Sequence, residues 1–164
     1  MIFVTVGTHE QPFNRLVQYM DSFSEKNSTD EEIIIQTGFS TYEPKYCTWG
    51  KLFPYQQMTE YVAAARIVIT HGGPSSFILP LQMAKIPIVV PRQKKYGEHV
   101  NDHQLEFAKQ VAERQGNIIV VEDVENLEDI ICNYDKRICS MSSGLNSNNA
   151  VFNEEFGKIV DGLF

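Results

Sequence analysis

Short apolar runs alternate with helix-like segments along most of the chain, and this alternation most limits the fold. Runs rich in β-branched residues at 2–6, 32–36, 67–70, 87–90 and 117–121 predict strands. Segments with apolar residues at helical spacing lie between them. The predicted strands are almost continuously apolar, which is typical of parallel strands covered on both faces. The sequence therefore predicts an α/β fold with a Rossmann-like parallel sheet.

Some local predictions depend on fewer residues. Residues 51–53 are predicted as a short strand. Pro80 lies inside a helix predicted over 75–84 and should kink or break it. Asn101 is predicted to cap a helix that runs to about Arg114.

The chain of 164 residues divides into three predicted parts. Residues 1–139 form the Rossmann-like domain, and the polar stretch 140–149 is predicted as a linker. Residues 150–164 are predicted as an amphipathic helix, which either packs on its own domain or docks a partner. Neither a signal peptide nor an apolar stretch of about 18 residues is evident. We therefore expect a cytoplasmic chain that reaches the inner face of the membrane only through a partner.

Charge and cysteine content exclude several classes of protein. The formal net charge of -7 disfavours nucleic-acid binding, so an anionic substrate must be held by local geometry. The three cysteines are odd in number and lack zinc-site spacing, so reduced thiols are expected. An Asp-x-Asp motif is missing, so we expect neither a metal-bridged diphosphate nor a cofactor.

Two glycine turns follow predicted strands, where open α/β sheets bind their ligands. The first turn contains Gly7, Thr8, His9 and Glu10. The second contains His71, Gly72, Gly73, Pro74, Ser75 and Ser76. Its glycines allow close approach of the backbone, and the helix that follows offers free N–H groups to an anion. It is neither a Walker A loop nor a GxGxxG fingerprint. The alternatives are an ordinary strand-to-helix turn for the first motif and a glycine turn with a serine cap for the second.

A third polar segment begins at a strand end and enters a helix. Its candidate ligand-binding residues are Arg92, Asn101, Asp102, His103 and Gln104. A glutamine amide both donates and accepts hydrogen bonds, which suits sugar hydroxyls. The alternative is a solvated loop with a helix cap.

Together, these motifs resemble the C-terminal domain of family-28 glycosyltransferases. The resemblance covers residues 1–121 and is carried by Phe3–Thr8, Thr70–Gly73 and Asn101–Gln104. The longer stretches 2–16 and 87–104 look closest to the small chains of bacterial capsule and exopolysaccharide two-chain transferases. The resemblance implies one half of a GT-B glycosyltransferase, which binds a UDP-sugar without a metal.

The resemblance also implies residue roles. Gly7–Thr8 and Gly72–Gly73 would lie near the diphosphate, Tyr55 would pack on the uracil ring, and His103–Gln104 would touch the donor sugar. Relatives usually carry an acidic residue that binds the ribose hydroxyls, whereas Leu79 stands at the matching position here. This departure implies either that another residue takes over this role or that nucleotide binding is weaker.

The function expected from these residues is inverting sugar transfer. The acceptor hydroxyl attacks the anomeric carbon, and backbone N–H groups stabilise the leaving diphosphate. The general base is His9, Glu10 or a group of the partner chain. By resemblance, the partner is a membrane-associated chain that holds a lipid-linked sugar, and the donor sugar is galactose. Two alternatives stay open: a non-catalytic subunit that activates or stabilises a partner transferase, and a nucleotide-binding domain of unrelated use.

Overall fold

A parallel sheet forms the centre of the protein. The computed structural model describes residues 1–26 and 31–141, and six strands lie within these ranges. They are β1 (Ile2–Thr5), β2 (Ile33–Gln36), β3 (Thr48–Gly50), β4 (Ile67–His71), β5 (Ile88–Val90) and β6 (Ile119–Val120). Their order is β3-β2-β1-β4-β5-β6, and all neighbours are parallel. The prediction of an α/β Rossmann-like sheet is confirmed.

Helices cover both faces of this sheet. They are α1 (Asn14–Lys26), α2 (Tyr55–Ala64), α3 (Pro74–Gln82), α4 (His103–Gln115), α5 (Leu127–Cys132) and α6 (Tyr134–Ser140). One face of the central strands packs with α1 and α5 in the largest core cluster, and the other packs against α2, α3 and α4. Strand residues alternate between the faces, so Val4 joins the first cluster and Phe3 the second.

The winding of the chain determines where a ligand is expected. From β1 the chain moves outward to β2 and β3, and then returns to place β4 on the other side of β1. The order reverses between β1 and β4, and such switch points bind ligands beyond the carboxyl ends of the strands. The two glycine turns follow these two strands.

Three local predictions are corrected. Residues 51–53 are not a strand: the edge strand is Thr48–Gly50, which pairs with β2, and Phe53 turns inward toward the ring of Phe3. Pro80 does not break α3 where it stands: the helix continues for two residues beyond it and ends at Gln82, two residues before the predicted end. Asp102 rather than Asn101 occupies the N-cap position of α4, but it is the Asn101 side chain that accepts a hydrogen bond from the first N–H of the helix, that of His103.

The end of the chain is described only in part. Ser140, the first residue of the predicted linker, is the last residue of α6. The rest of that linker from residue 142, and the predicted helix 150–164, lie outside the described residues. Among the residues that are described, no helix is long and apolar enough to cross a membrane.

Candidate functional site

A cleft of about 630 Å³ opens at the switch point. It lies beyond the carboxyl ends of β1, β2 and β4, beside α2 and α3. Its lining residues are Thr5, Gly7, Thr8, Gln36, Leu52, Phe53, Tyr55, Met58, Val62, His71, Ser75, Ser76, Ile78, Leu79 and Gln82. Hydroxyl, amide and imidazole groups line one part of the cleft, and apolar side chains line another. None of these side chains is a lysine, arginine, aspartate or glutamate.

His71 ends β4 and is almost fully buried beside the cleft. The Gly73 N–H donates to its Nδ1 at 3.2 Å, so the proton of the neutral ring lies on Nε2. That Nε2 is 3.4 Å from Ser76 Oγ and donates to it. Burial, aided by the positive charge of Arg92, lowers the pKa of His71 to about 3. His71 is therefore neutral at physiological pH and links the glycine turn to the start of α3.

Two of the predicted glycines are needed because of the His71 ring. A Cβ on Gly7 would lie 2.1 Å from His71 Nε2, and Gly7 also has a positive φ of 76°. A Cβ on Gly73 would lie 2.5 Å from His71 Cε1. The imidazole therefore fills the space that a side chain would take at either position. Gly72 has a different neighbour, since its Cβ would lie 2.9 Å from the Cβ of Gln104 on α4.

Gln36, at the end of β2, is a cleft residue that the motifs do not single out. Its side chain is 4% exposed. Its Nε2 donates to Thr5 Oγ1 at 3.2 Å, and its Oε1 accepts from the Phe53 N–H at 3.2 Å. Thr5 Oγ1 also accepts from the Gly7 N–H. Gln36 thus joins the first glycine turn to the segment that carries Tyr55. The available signal was a polar residue ending the apolar run of β2.

The candidate bases lie on the loop between β1 and α1. Thr8, His9 and Glu10 are exposed, and of these only Thr8 lines the cleft. The His9 ring packs on His99, with 4.9 Å between ring centroids, and its Nδ1 accepts from the Gln11 N–H. The pKa of His9 is lowered mainly by desolvation and next by the positive charge of Arg92. The lowered pKa favours the neutral form of the ring. A neutral imidazole is the form that a general base requires.

Arg92 occupies a place that its sequence motif does not indicate. Its side chain is fully buried, whereas the sequence suggests a ligand-binding residue. Its guanidinium donates to the backbone carbonyls of Val6 at 2.9 Å and Gln11 at 2.7 Å. Arg92 therefore contacts the loop between β1 and α1 from beneath and does not line the cleft.

The other polar residues of the third segment also bind backbone groups. Asn101 Oδ1 accepts from the His103 N–H, and Asp102 Oδ1 accepts from the Lys94 N–H. Gln104 Oε1 accepts from the Arg92 N–H at 3.3 Å. The 630 Å³ cleft is lined by none of the four predicted ligand-binding residues at or just before the start of α4, which are Asn101, Asp102, His103 and Gln104. His103 is exposed at the first position of α4.

The start of α3 and the start of α2 contribute the remaining predicted residues. Pro74 is the first residue of α3 and is exposed, and Ser75 and Ser76 line the cleft after it. Tyr55 begins α2, lines the cleft and is 78% exposed. Its ring is thus free to meet a flat ligand. Leu79 lines the same cleft one turn further along α3.

Solved structures share this fold at low sequence identity. The glycotransferase of kitacinnamycin matches with a TM-score of 0.62 and 15% identity, over 89% of this chain and 39% of that chain. The calicheamicin glycosyltransferase CalG4 matches with a TM-score of 0.58 and 14% identity, over 99% and 43%. MurG of Acinetobacter baumannii matches with a TM-score of 0.57 and 15% identity, over 87% and 43%. The chain therefore spans about two fifths of these GT-B glycosyltransferases.

Sequence comparison identifies the family. No curated protein matches the chain. The model of the glycosyltransferase family 28 C-terminal domain matches residues 1–156, which is almost the whole sequence. The chain belongs to the glycosyltransferase family 28 C-terminal domain family.

Proposed function

We propose that this chain is the donor-binding subunit of an inverting, UDP-sugar-dependent glycosyltransferase. The transfer proposed is of galactose to a lipid-linked sugar in capsule or exopolysaccharide synthesis. A second, membrane-associated chain holds the acceptor. The observation that carries the proposal is the cleft at the switch point between β1 and β4, which combines small polar groups with an apolar wall.

The division of this cleft fits the parts of a nucleotide sugar. Gly7, Thr8, Ser75 and Ser76 offer backbone and hydroxyl groups where a diphosphate would bind. Tyr55, Leu52 and Ile78 are exposed apolar surface beside them, which suits a base ring.

The chemistry follows from the same arrangement. The acceptor hydroxyl attacks the anomeric carbon from the face opposite the leaving UDP, so the configuration inverts. Developing charge on the diphosphate is stabilised by N–H groups and by the positive end of α3, which begins at Pro74. His9 is the base that we favour within this chain, because its lowered pKa keeps the exposed ring neutral; to accept the proton, its Nδ1 exchanges the hydrogen bond from the Gln11 N–H for the acceptor hydroxyl. Glu10 is the second candidate.

Exposed apolar side chains support a partner at the carboxyl edge of the sheet. Eight large hydrophobic residues are exposed among those described. One of them, Tyr46, lies just before the amino end of β3. The others are Phe39, Leu52, Tyr55, Ile78, Tyr96, Val100 and Phe107. They lie on segments that follow the carboxyl ends of strands. Such concentration is typical of an interaction surface, and an acceptor-binding domain placed there would close the cleft.

Donor binding is tested by titrating the full-length chain with UDP and UDP-galactose. Tyr55→Ala should weaken UDP binding by about fivefold or more, because stacking of a base on an aromatic ring contributes about 1–3 kcal/mol. Tyr46→Ala is the matched control, since Tyr46 is also an exposed tyrosine (54%) but lies before β3. If the wild-type chain binds neither ligand, the proposal is wrong.

The two-chain proposal needs a separate experiment. The full-length chain alone should not transfer sugar, whereas the chain together with the product of the neighbouring reading frame should. Truncation after Ser143 tests whether the residues beyond it dock the partner: the shortened chain should bind UDP but lose co-purification. Transfer by the purified chain alone would contradict the two-chain proposal.

A non-catalytic accessory subunit is the second candidate, and Leu79 favours it. Leu79 lines the cleft where relatives are expected to bind the ribose hydroxyls, and its side chain cannot accept a hydrogen bond. An accessory subunit should support the partner's activity without binding UDP. The UDP titration therefore separates the two candidates directly.

A further inference from the structure

The proposed donor site lacks a counter-charge of its own. A UDP-sugar diphosphate carries about two negative charges, and neither Lys nor Arg is among the residues that line the cleft. The chain as a whole is at -7, so its overall field repels such a ligand. His71 is neutral there. Besides the N–H groups and the positive end of α3, a positive charge near the cleft but outside its lining would therefore strengthen diphosphate binding.

Arg92 has the location that such a charge requires. It is 0% exposed, and it follows β5, at the same edge of the sheet as the cleft. One terminal nitrogen donates to the carbonyl oxygen of Val6, the residue before Gly7. The other donates to Gln11 at the far end of the loop that carries Thr8 and His9. The guanidinium therefore lies directly beneath that loop.

The positive charge of Arg92 has no carboxylate partner of its own among the described residues. The acidic side chain beside it is Glu98, whose carboxylate accepts from Arg15 Nε at 2.8 Å and from a second Arg15 nitrogen at 3.0 Å. Arg92 contacts only the backbone carbonyl of Glu98, at 3.3 Å. Its Nε is buried without a hydrogen-bond partner, and its guanidinium lies 4.8 Å from the ring centroid of Phe13. The Arg15–Glu98 pair is neutral as a unit, so one unit of positive charge remains.

The field of Arg92 extends to the cleft and to the loop. Its charge contributes to the lowered pKa of both His71 and His9. Burial lowers the pKa of Arg92 itself to about 10, against the opposing effect of the nearby Glu98 charge, so it keeps its charge at neutral pH. Charges in a partly buried setting interact across several ångströms, because water screens them less than at an exposed surface.

We propose that Arg92 is the buried counter-charge for the donor diphosphate, and that it selects nucleoside diphosphates over neutral nucleosides without touching them. It acts through the loop between β1 and α1, which it also holds in place, and is therefore a positioning residue. This inference rests on the proposed donor-binding function. It replaces the direct ligand contact that the sequence indicates for Arg92.

The test compares UDP with uridine on the full-length chain, because the two ligands share the base and ribose but differ in charge. Arg92→Met should weaken UDP binding by about tenfold and change uridine binding less than about twofold. Arg92→Lys keeps a positive charge but cannot bind both carbonyls, so both affinities should fall while the ratio of UDP to uridine affinity stays within about threefold of wild type. Arg66→Met is the matched control, because it also removes one positive charge. Arg66 lies at the opposite edge of the sheet, where its backbone N–H donates to the carbonyl oxygen of Met1.

A variant of opposite sign keeps the inference testable if Arg92→Met does not fold. Glu98→Gln removes the negative charge that neutralises Arg15, so the ratio of UDP to uridine affinity should rise by about threefold. An unchanged or lower ratio in Glu98→Gln would overturn the inference, as would equal losses of both ligands in Arg92→Met. If the wild-type chain binds uridine and UDP equally, the counter-charge is refuted while nucleoside binding stands. If it binds neither, the proposed function and this inference fail together.

Discussion

Gly73→Ala separates two reasons for the glycine at the second turn. The sequence suggests that Gly73 lets the backbone approach a ligand, whereas the structure places the His71 ring where its Cβ would be. The added Cβ would lie 2.5 Å from His71 Cε1, well inside the usual carbon–carbon contact of about 3.5–4.0 Å. The ring must move, and the hydrogen bond from the Gly73 N–H to Nδ1 is then lost.

The expected cost follows from these two effects. Overpacking costs about 1–3 kcal/mol, and the lost hydrogen bond adds about 1 kcal/mol. Gly73→Ala should therefore lower the free energy of unfolding by about 3 kcal/mol. In a His71→Ala background the ring is absent. The backbone at Gly73 (φ -73°, ψ 130°) suits alanine, so the same change should be neutral or slightly stabilising. The two mutations should thus show a coupling energy of about 2–3 kcal/mol.

Urea denaturation of the wild type, both single variants and the double variant gives this coupling. Gly116→Ala is the control, because its φ of 61° costs about 1–2 kcal/mol with or without His71, and its added Cβ would meet no atom within 4 Å. UDP titration of the same proteins completes the test. Equal costs of Gly73→Ala in both backgrounds would refute the role of the His71 ring. Loss of UDP binding in a stable double variant, but not in His71→Ala alone, would show that the Gly73 backbone itself must approach the ligand.

Four further predictions concern pH, metal and two cleft positions. The free energy of unfolding should fall as pH drops from about 6.5 to 5, because the unfolded chain binds a proton that folded His71 excludes. The slope approaches about 1.4 kcal/mol per pH unit, and His71→Asn should remove most of this pH dependence. Excess EDTA should leave most of the transfer rate of the two-chain enzyme, and loss restored by manganese would contradict the metal-free diphosphate site. Gln104→Ala should lower turnover with the UDP-sugar while UDP affinity changes little. Gln104 Oε1 accepts from the Arg92 N–H, so only Nε2 is left to contact the donor sugar, and equal losses of turnover and UDP affinity would contradict this role. Leu79→Glu should raise UDP affinity by about tenfold but not that of 2′,3′-dideoxy-UDP, and parallel gains would show that Leu79 does not lie at the ribose.

The sheet could be predicted from sequence because its central strands are buried on both faces. Such strands must be apolar throughout, as residues 67–69 are, and this pattern is visible without any knowledge of the partners. The edge strand Thr48–Gly50 lacks the pattern, because its residues are exposed or half-buried. It is a strand only by virtue of its pairing with β2, and pairing between distant segments is not written in local composition. The neighbouring residues 51–53, of which Leu52 and Phe53 are apolar, therefore gave the wrong strand.

Polar residues near the carboxyl edge show a second limit of sequence. Gly7, His71 and Ser76 line one cleft, since each lies at or soon after the carboxyl end of β1 or β4. Position along the chain does not tell whether a polar group faces the cleft or the backbone. Arg92 and Asp102 look like ligand-binding residues, yet their side chains bind backbone groups of neighbouring loops. That choice depends on loop geometry, which only the assembled fold determines.

The division of labour among these side chains has a physical reason. A loop that follows a strand leaves backbone N–H and C=O groups without sheet partners, and those that become buried must find other ones. Arg92 satisfies carbonyl groups of the first loop, and Gln104 in turn accepts from the Arg92 N–H. The charged group is thereby used beneath the site. The polar part of the cleft itself consists of Gly7, hydroxyls, amides and a neutral imidazole, which allow a charged ligand to approach closely. A site built in this way takes its geometry from exposed small residues and its charge from a buried arginine. Removing Arg92 should therefore change the preference for charged ligands more than the preference for ligands of a particular shape.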